Sequence, residues 1–155
     1  PTSVRVGCML EVPSLSWQLD SLMKEIDFLS IGTNDLMQFF FACDRGNPRL
    51  ADRYDLLAPS VLAFLHMIVK VCGEAGVPVT LCGEMGGKPI EAMALVALGL
   101  QRLSISPTSV GPVKRMIRSV HMGKLRDFLL ANLTSTEHSI RDSLLHFARD
   151  HDIKL

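Results

Sequence analysis

Four short apolar runs, each closed by polar residues and followed by a helix-like stretch, constrain this fold more than any other feature. The runs are residues 4–10 (VRVGCML), 28–31 (FLSI), 77–82 (VPVTLC) and 102–105 (RLSI). All four read as strands. After the first run, Leu15, Leu19, Leu22, Met23 and Ile26 recur at helical spacing, which predicts a helix over 13–25 with Pro13 in its first turn. Residues 36–43, 59–74 and 89–98 also read as helices, with Gly76 as a C-terminal cap of the second. A fifth helix is expected over 107–120, kinked or restarted at Gly111-Pro112. Residues 44–57 form a polar loop around Gly46, Asn47 and Pro48, and 83–88 form a glycine-rich one. The tail, 123–152, reads as one or two helices capped by Thr134 or Ser135. Strand-helix units in series predict a parallel sheet with helices outside it. Four such units are half of an eight-stranded β/α barrel; a small open α/β sheet is the alternative.

With 48% hydrophobic and 21% charged residues, the 155-residue chain can bury a core and suits one domain or a large piece of one. Lys+Arg and Asp+Glu both number 16, so no overall basic excess exists for tracking phosphates, and nucleic acid is not an expected partner. Cys8, Cys43, Cys72 and Cys82 form no C-x-x-C pair or metal-thiolate spacing. They read as reduced, mostly buried thiols of a cytoplasmic protein. The longest apolar stretch, 92–100, is too short to cross a bilayer, and no signal peptide is seen, so no membrane partner is expected. Pro1 stands almost against the first strand, which suggests a fragment of a larger multidomain protein.

Polar residues gather just after each strand: Glu11, then Asn34 and Asp35, then Cys82 and Glu84, then Ser104 and Ser106. In β/α barrels the chemistry sits at these C-terminal strand ends. Alternation in the first strand puts Gly7, Met9 and Glu11 on one face, and Gly7 leaves room beside something bulky. Two carboxylates on neighbouring strand ends can hold one Mg²⁺, with phosphate and water completing its oxygen shell. Arg45 offers a planar fork to a phosphate, Asn34 a neutral donor, and Cys82 a thiol able to exchange a proton with a carbon acid. Plainer readings stand beside each. Taken singly, Glu11 is a solvated strand-end residue, Asn34-Asp35 a helix cap, Arg45 a surface residue and Cys82 a small buried hydrophobe. The tripeptide Cys-Gly-Glu occurs at both 72–74 and 82–84, so only its place after a strand gives it weight. The methionines read as packing residues. His66, His121, His138, His146 and His151 read as structural or surface residues, and none as a phosphoacceptor.

The stretches GCMLEVPS (7–14), DFLSIGTNDLMQFFFACDRGN (27–47), LAPSVL (57–62), LCGEMGG (81–87) and LSISPTSVGPVK (103–114) closely resemble Enzyme I of the phosphotransferase system. They stand in that family's order and at its spacing, and the resemblance runs over 4–120. The wider family includes pyruvate phosphate dikinase and phosphoenolpyruvate synthase. The RGN after Asp44, the short loop to Tyr54 and LCGEMGG are more similar to Enzyme I. Gly86-Gly87-Lys88 and the PIEAMALVALGL helix are most similar to its nitrogen-related paralogue. The resemblance implies the C-terminal half of a phosphoenolpyruvate-binding barrel. In such a protein the phosphoryl group of phosphoenolpyruvate passes to a histidine in another domain and on to a phosphocarrier protein, leaving pyruvate. It further implies that Glu11 and Asp35 bind Mg²⁺ and that Asn34 and Arg45 contact the phosphate. The backbone of residues 33–35, Thr33 included, would meet the substrate carboxylate, and Cys82 would protonate the enolate. The histidine domain, the carrier-docking helices and the first barrel strands have no counterpart in this sequence. The fragment is therefore expected to be inactive alone, and a homodimer is expected by the same resemblance.

Overall fold

The computed structural model describes residues 2–53 and 55–155, with backbone only for 51–53; Pro1 and Tyr54, the residue at the far end of the loop in the resemblance, lie outside the described residues. Four strands, β1 (Gly7–Leu10), β2 (Phe28–Gly32), β3 (Val79–Cys82) and β4 (Leu103–Ser104), form one parallel sheet in sequential order. The register pairs Leu10 with Ile31, Ile31 with Leu81 and Leu81 with Leu103, so one row of side chains crosses the sheet on a single face. Leu10, Leu29, Ile31 and Leu81 of that face are fully buried. They join one core with Val61, Leu62, Leu65 and Ile68 of helix α3 (Pro59–Glu74) and Met93 and Leu95 of α4 (Pro89–Ala97).

The opposite face is different. Met9 is 43% and Phe28 39% exposed, although both are large and apolar. A doubly wound sheet would cover both faces with helices. Here the burial is one-sided. The expected gap at Gly7 is filled by the Phe28 ring from the neighbouring strand, which any Cβ at residue 7 would strike.

Several elements differ from expectation. Residues 13–25 are not one helix: a 3₁₀ segment, Pro13–Gln18, leads into a single α-turn, α1 (Leu19–Leu22). Leu19 and Met23 are buried and Leu15 packs against the same core, while Trp17 is 91% exposed. The predicted break at Gly111-Pro112 is absent, since α5 (Pro107–Ser119) runs through Pro112. Pro112 lacks one amide in the second turn, and the buried Val113 and Met116 that follow hold the helix on the core. The tail forms two helices, α6 (Met122–Asn132) and α7 (Arg141–Asp150). Neither Thr134 nor Ser135 caps α7; Ser139 Oγ accepts the Arg141 amide at 3.1 Å at its start. Leu125, Leu129, Ile140 and Leu144 bury the pair in the main core, and Phe128 and Phe147 lie 4.7 Å apart.

Candidate functional site at the strand ends

The C-terminal rim of the sheet carries the polar residues. β2 passes without a linker into α2 (Thr33–Phe41), so Thr33, Asn34 and Asp35 form the first turn of a helix. The amides of a first helical turn have no intrahelical acceptor and favour anions. Thr33 is buried, and its hydroxyl donates to the Cys82 carbonyl at 3.0 Å. Asn34 Oδ1 accepts from the Glu84 amide at 3.2 Å. Asn34 therefore caps the glycine-rich loop after β3 rather than its own helix, for which no side chain serves as cap. The loop begins at Gly83 with φ +119°, and a Cβ there would collide with the Thr33 hydroxyl. Two bonds and one glycine thus join the ends of β2 and β3.

Cys82 pairs in register with Gly32 and Ser104. Its Sγ lies 3.4 Å from Ser30 Oγ and 3.5 Å from the Ile31 carbonyl, and the residue is half-buried. The other thiols differ: Cys43 and Cys72 are buried, and burial pushes the Cys72 thiol up to about 11. Glu11 follows β1 and lies over Gly32, where a Cβ would stand 2.8 Å from Glu11 Cγ and 3.2 Å from Oε2. Asp35 is about half exposed and faces Arg45, with Nη2 to Oδ1 at 4.0 Å. Two carboxylates of this kind suit a hard cation that takes its remaining oxygens from water and phosphate. Among the described residues no three His, Cys, Asp or Glu side chains converge on one point.

A cleft of about 550 Å³ opens beside this rim, walled by Thr33, Asn34, Arg45, Glu84, Glu91 and Arg141. The last two were not expected from the sequence. Arg141 Nη2 reaches Glu91 Oε1 at 2.9 Å and Asp55 Oδ1 at 3.1 Å. Burial alone would raise the Asp55 carboxyl, but hydrogen bonds from Ser139, the Leu57 amide and Arg141 bring it below its ordinary value. Burial works against the Arg141 charge too, yet Glu91 and Asp55 hold its guanidinium above the ordinary range. A glutamate inside the apolar run PIEAMALVALGL was a visible signal. Arg141, 50 residues further on, left none. Ser30 was also legible in principle, as the polar residue within FLSI.

A parallel α/β sheet with its acid, amide and thiol side chains on one rim defines a class of domain built to act at strand ends. Residues 1–122 match the family described as "PEP-utilising enzyme, PEP-binding domain", and the chain belongs to that family. A "Phosphoenolpyruvate-dependent phosphotransferase system" protein of Salmonella typhimurium is 45% identical over 116 residues, covering 75% of this chain and 16% of that protein. A "Phosphoenolpyruvate-protein phosphotransferase" of Borreliella burgdorferi is 35% identical over 145 residues, covering 94% of this chain and 25% of that protein. "Multiphosphoryl transfer protein 1" of Escherichia coli is 38% identical over 125 residues, covering 81% and 15%. The chain thus spans a quarter or less of the length of these relatives. The resemblance to Enzyme I is borne out by both the family match and the named phosphotransferases. No described helix is long and apolar enough to cross a membrane.

Proposed function

We propose that this chain forms one wall of the phosphoenolpyruvate site of a phosphoenolpyruvate-protein phosphotransferase, as the C-terminal half of a β/α barrel. The observation that carries the reading is the common rim. Glu11, Thr33, Asn34, Asp35 and Cys82 lie at the ends of adjacent strands, and Arg45 faces Asp35. Glu11 and Asp35 would hold Mg²⁺, which supplies positive charge against the phosphate and the enolate. Arg45 and Asn34 bind the phosphate, and the backbone of the first turn of α2 meets the carboxylate. The P–O bond of phosphoenolpyruvate breaks as a P–N bond forms to a histidine outside this chain. The enolate left behind takes its carbon proton from the Cys82 thiol, giving pyruvate and a thiolate that solvent reprotonates. The phosphoryl group then passes to a phosphocarrier protein in the cytoplasm.

The half-exposed face with Met9 and Phe28 supports the barrel, because four preceding strands would cover it and pair the open edges of β1 and β4. A second reading, a binding and dimerisation module, is favoured by Trp17, which stands 91% exposed. In a homodimer such an aromatic makes a natural anchor.

Amide NMR of the chain, titrated with phosphoenolpyruvate and Mg²⁺, tests the main reading and detects the weak binding of a half-site. Shifts confined to residues 32–35, 45–46 and 82–84, dependent on Mg²⁺ and abolished by Asp35→Ala, support it. No shift there, or shifts without Mg²⁺, would overturn the assignment of a preformed site to this chain.

A further inference from the structure

We infer that Arg141 is a positioning residue for the loop that carries Arg45. This rests on the proposed site only in giving Arg45 a phosphate to bind. The loop leaves α2 at Ala42, and Arg45 is held there by its amide on Gln38 Oε1 at 3.3 Å. Its far end returns at Asp55, whose Oδ1 accepts the Leu57 amide at 2.9 Å. That end is fastened to the tail by two further contacts: the Ile140 amide donates to the Leu57 carbonyl at 3.1 Å, and Arg141 bridges Asp55 to Glu91.

Glu91 makes the bridge selective. It is 2% exposed and is the one buried charged residue among those described, and its Oε2 has no hydrogen-bond partner. A buried carboxylate stays charged only beside a matching cation, so Arg141 is pinned by Glu91 and cannot drift from Asp55 without stranding it. Glu91 and Arg141 both wall the cleft that Arg45 enters. A segment outside the family match, which ends at residue 122, thus sets the cleft's width. The side-chain hydrogen bonds of Arg141 go to Asp55 and Glu91, and it acts through Asp55.

The test is made on the whole chain without ligand, by amide hydrogen exchange and by the Arg45 Nε–Hε resonance. Glu91→Gln is compared with Glu91→Gln/Arg141→Gln: the single variant keeps the Arg141–Asp55 contact, and the double one removes it without leaving a charge at residue 91. The double variant is expected to speed exchange at Asn47, Leu57 and Ala58 about tenfold over the single one, with Leu65 and Ile68 in α3 unchanged. The Arg45 resonance should shift with the double variant and not with the single one. Asp55→Asn, which leaves the Arg141–Glu91 pair in place, is expected to loosen the same loop amides and decides the question if the double variant does not fold. Unchanged loop amides and an unchanged Arg45 resonance would overturn the inference. So would a uniform rise that includes α3, since that is a loss of bulk stability. Because no ligand is used, a failure of phosphoenolpyruvate to bind would sink the proposed function and leave this result standing.

Discussion

The Thr33 hydroxyl donates to the Cys82 carbonyl at 3.0 Å, so the first residue of α2 is fastened to the last residue of β3. The bond fixes the first helical turn, which carries Asn34 and Asp35, relative to the thiol. Thr33 is 1% exposed, so water does not readily replace its hydroxyl. Thr33→Val keeps the shape and removes the donor. It is expected to cost about 1–2 kcal/mol, read as a lower urea midpoint with an unchanged slope. Unaltered stability would mean that the carbonyl finds another donor.

Gly83 and Gly76 separate strain from collision. Both have positive φ, +119° and +69°, but a Cβ at Gly76 meets nothing while one at Gly83 strikes Thr33 Oγ1. Gly76→Ala should cost about 1 kcal/mol from backbone conformation alone. Gly83→Ala should cost about 2 kcal/mol or more and displace Thr33 as well. Equal thermal shifts in the two variants would remove the steric role of Gly83.

Much of the rim was legible because it is written in short-range patterns. Period-two alternation grouped Gly7, Met9 and Glu11 on one face; the structure shows Met9 exposed there, and the neighbouring Phe28 ring fills the room that Gly7 leaves. The partners of Asn34 and Thr33 were not legible, since Glu84 and Cys82 lie 50 and 49 residues away and only the sheet register brings them near. The helix expected over 13–25 failed because its leucines follow a helical period while the chain there must turn off a strand. The Arg141 bridge is a contact of pure tertiary origin.

Asp55 sets an acid-side signature. Its carboxyl lies below the ordinary 3.8 in the folded chain, so the unfolded chain binds that proton more readily. The stability it contributes is present above the unfolded value and is lost as pH falls through the folded one. Urea midpoints of the parent chain should therefore drop more steeply below about pH 4 than those of Asp55→Asn. Parallel pH profiles would remove Asp55 from the acid response.

Gly32 leaves the room that Glu11 occupies, and Gly32→Ala would place a methyl 2.8 Å from Glu11 Cγ. Glu11 ends in a flexible carboxylate that can swing aside, so the fold should survive with little loss. If Glu11 and Asp35 share one cation as proposed, Mn²⁺ binding followed by electron spin resonance should weaken by about tenfold, because one of two protein ligands is displaced. Binding equal to that of the parent chain would separate Glu11 from the cation.

The thiols should sort by exposure and charge state. The thiolate is the reactive form, so a thiol held at about 11 and buried, as in Cys72, is protected twice over. Cys43 is also buried, whereas Cys8 and Cys82 are half-buried. Brief iodoacetamide treatment at neutral pH, read by peptide mass spectrometry, should label Cys8 and Cys82 and spare Cys43 and Cys72 until the chain is unfolded. Phosphoenolpyruvate with Mg²⁺ should then slow labelling of Cys82 and not of Cys8, because only Cys82 lies at the C-terminal rim. Equal protection of both thiols would point to a general tightening of the sheet rather than to a ligand seated at the strand ends.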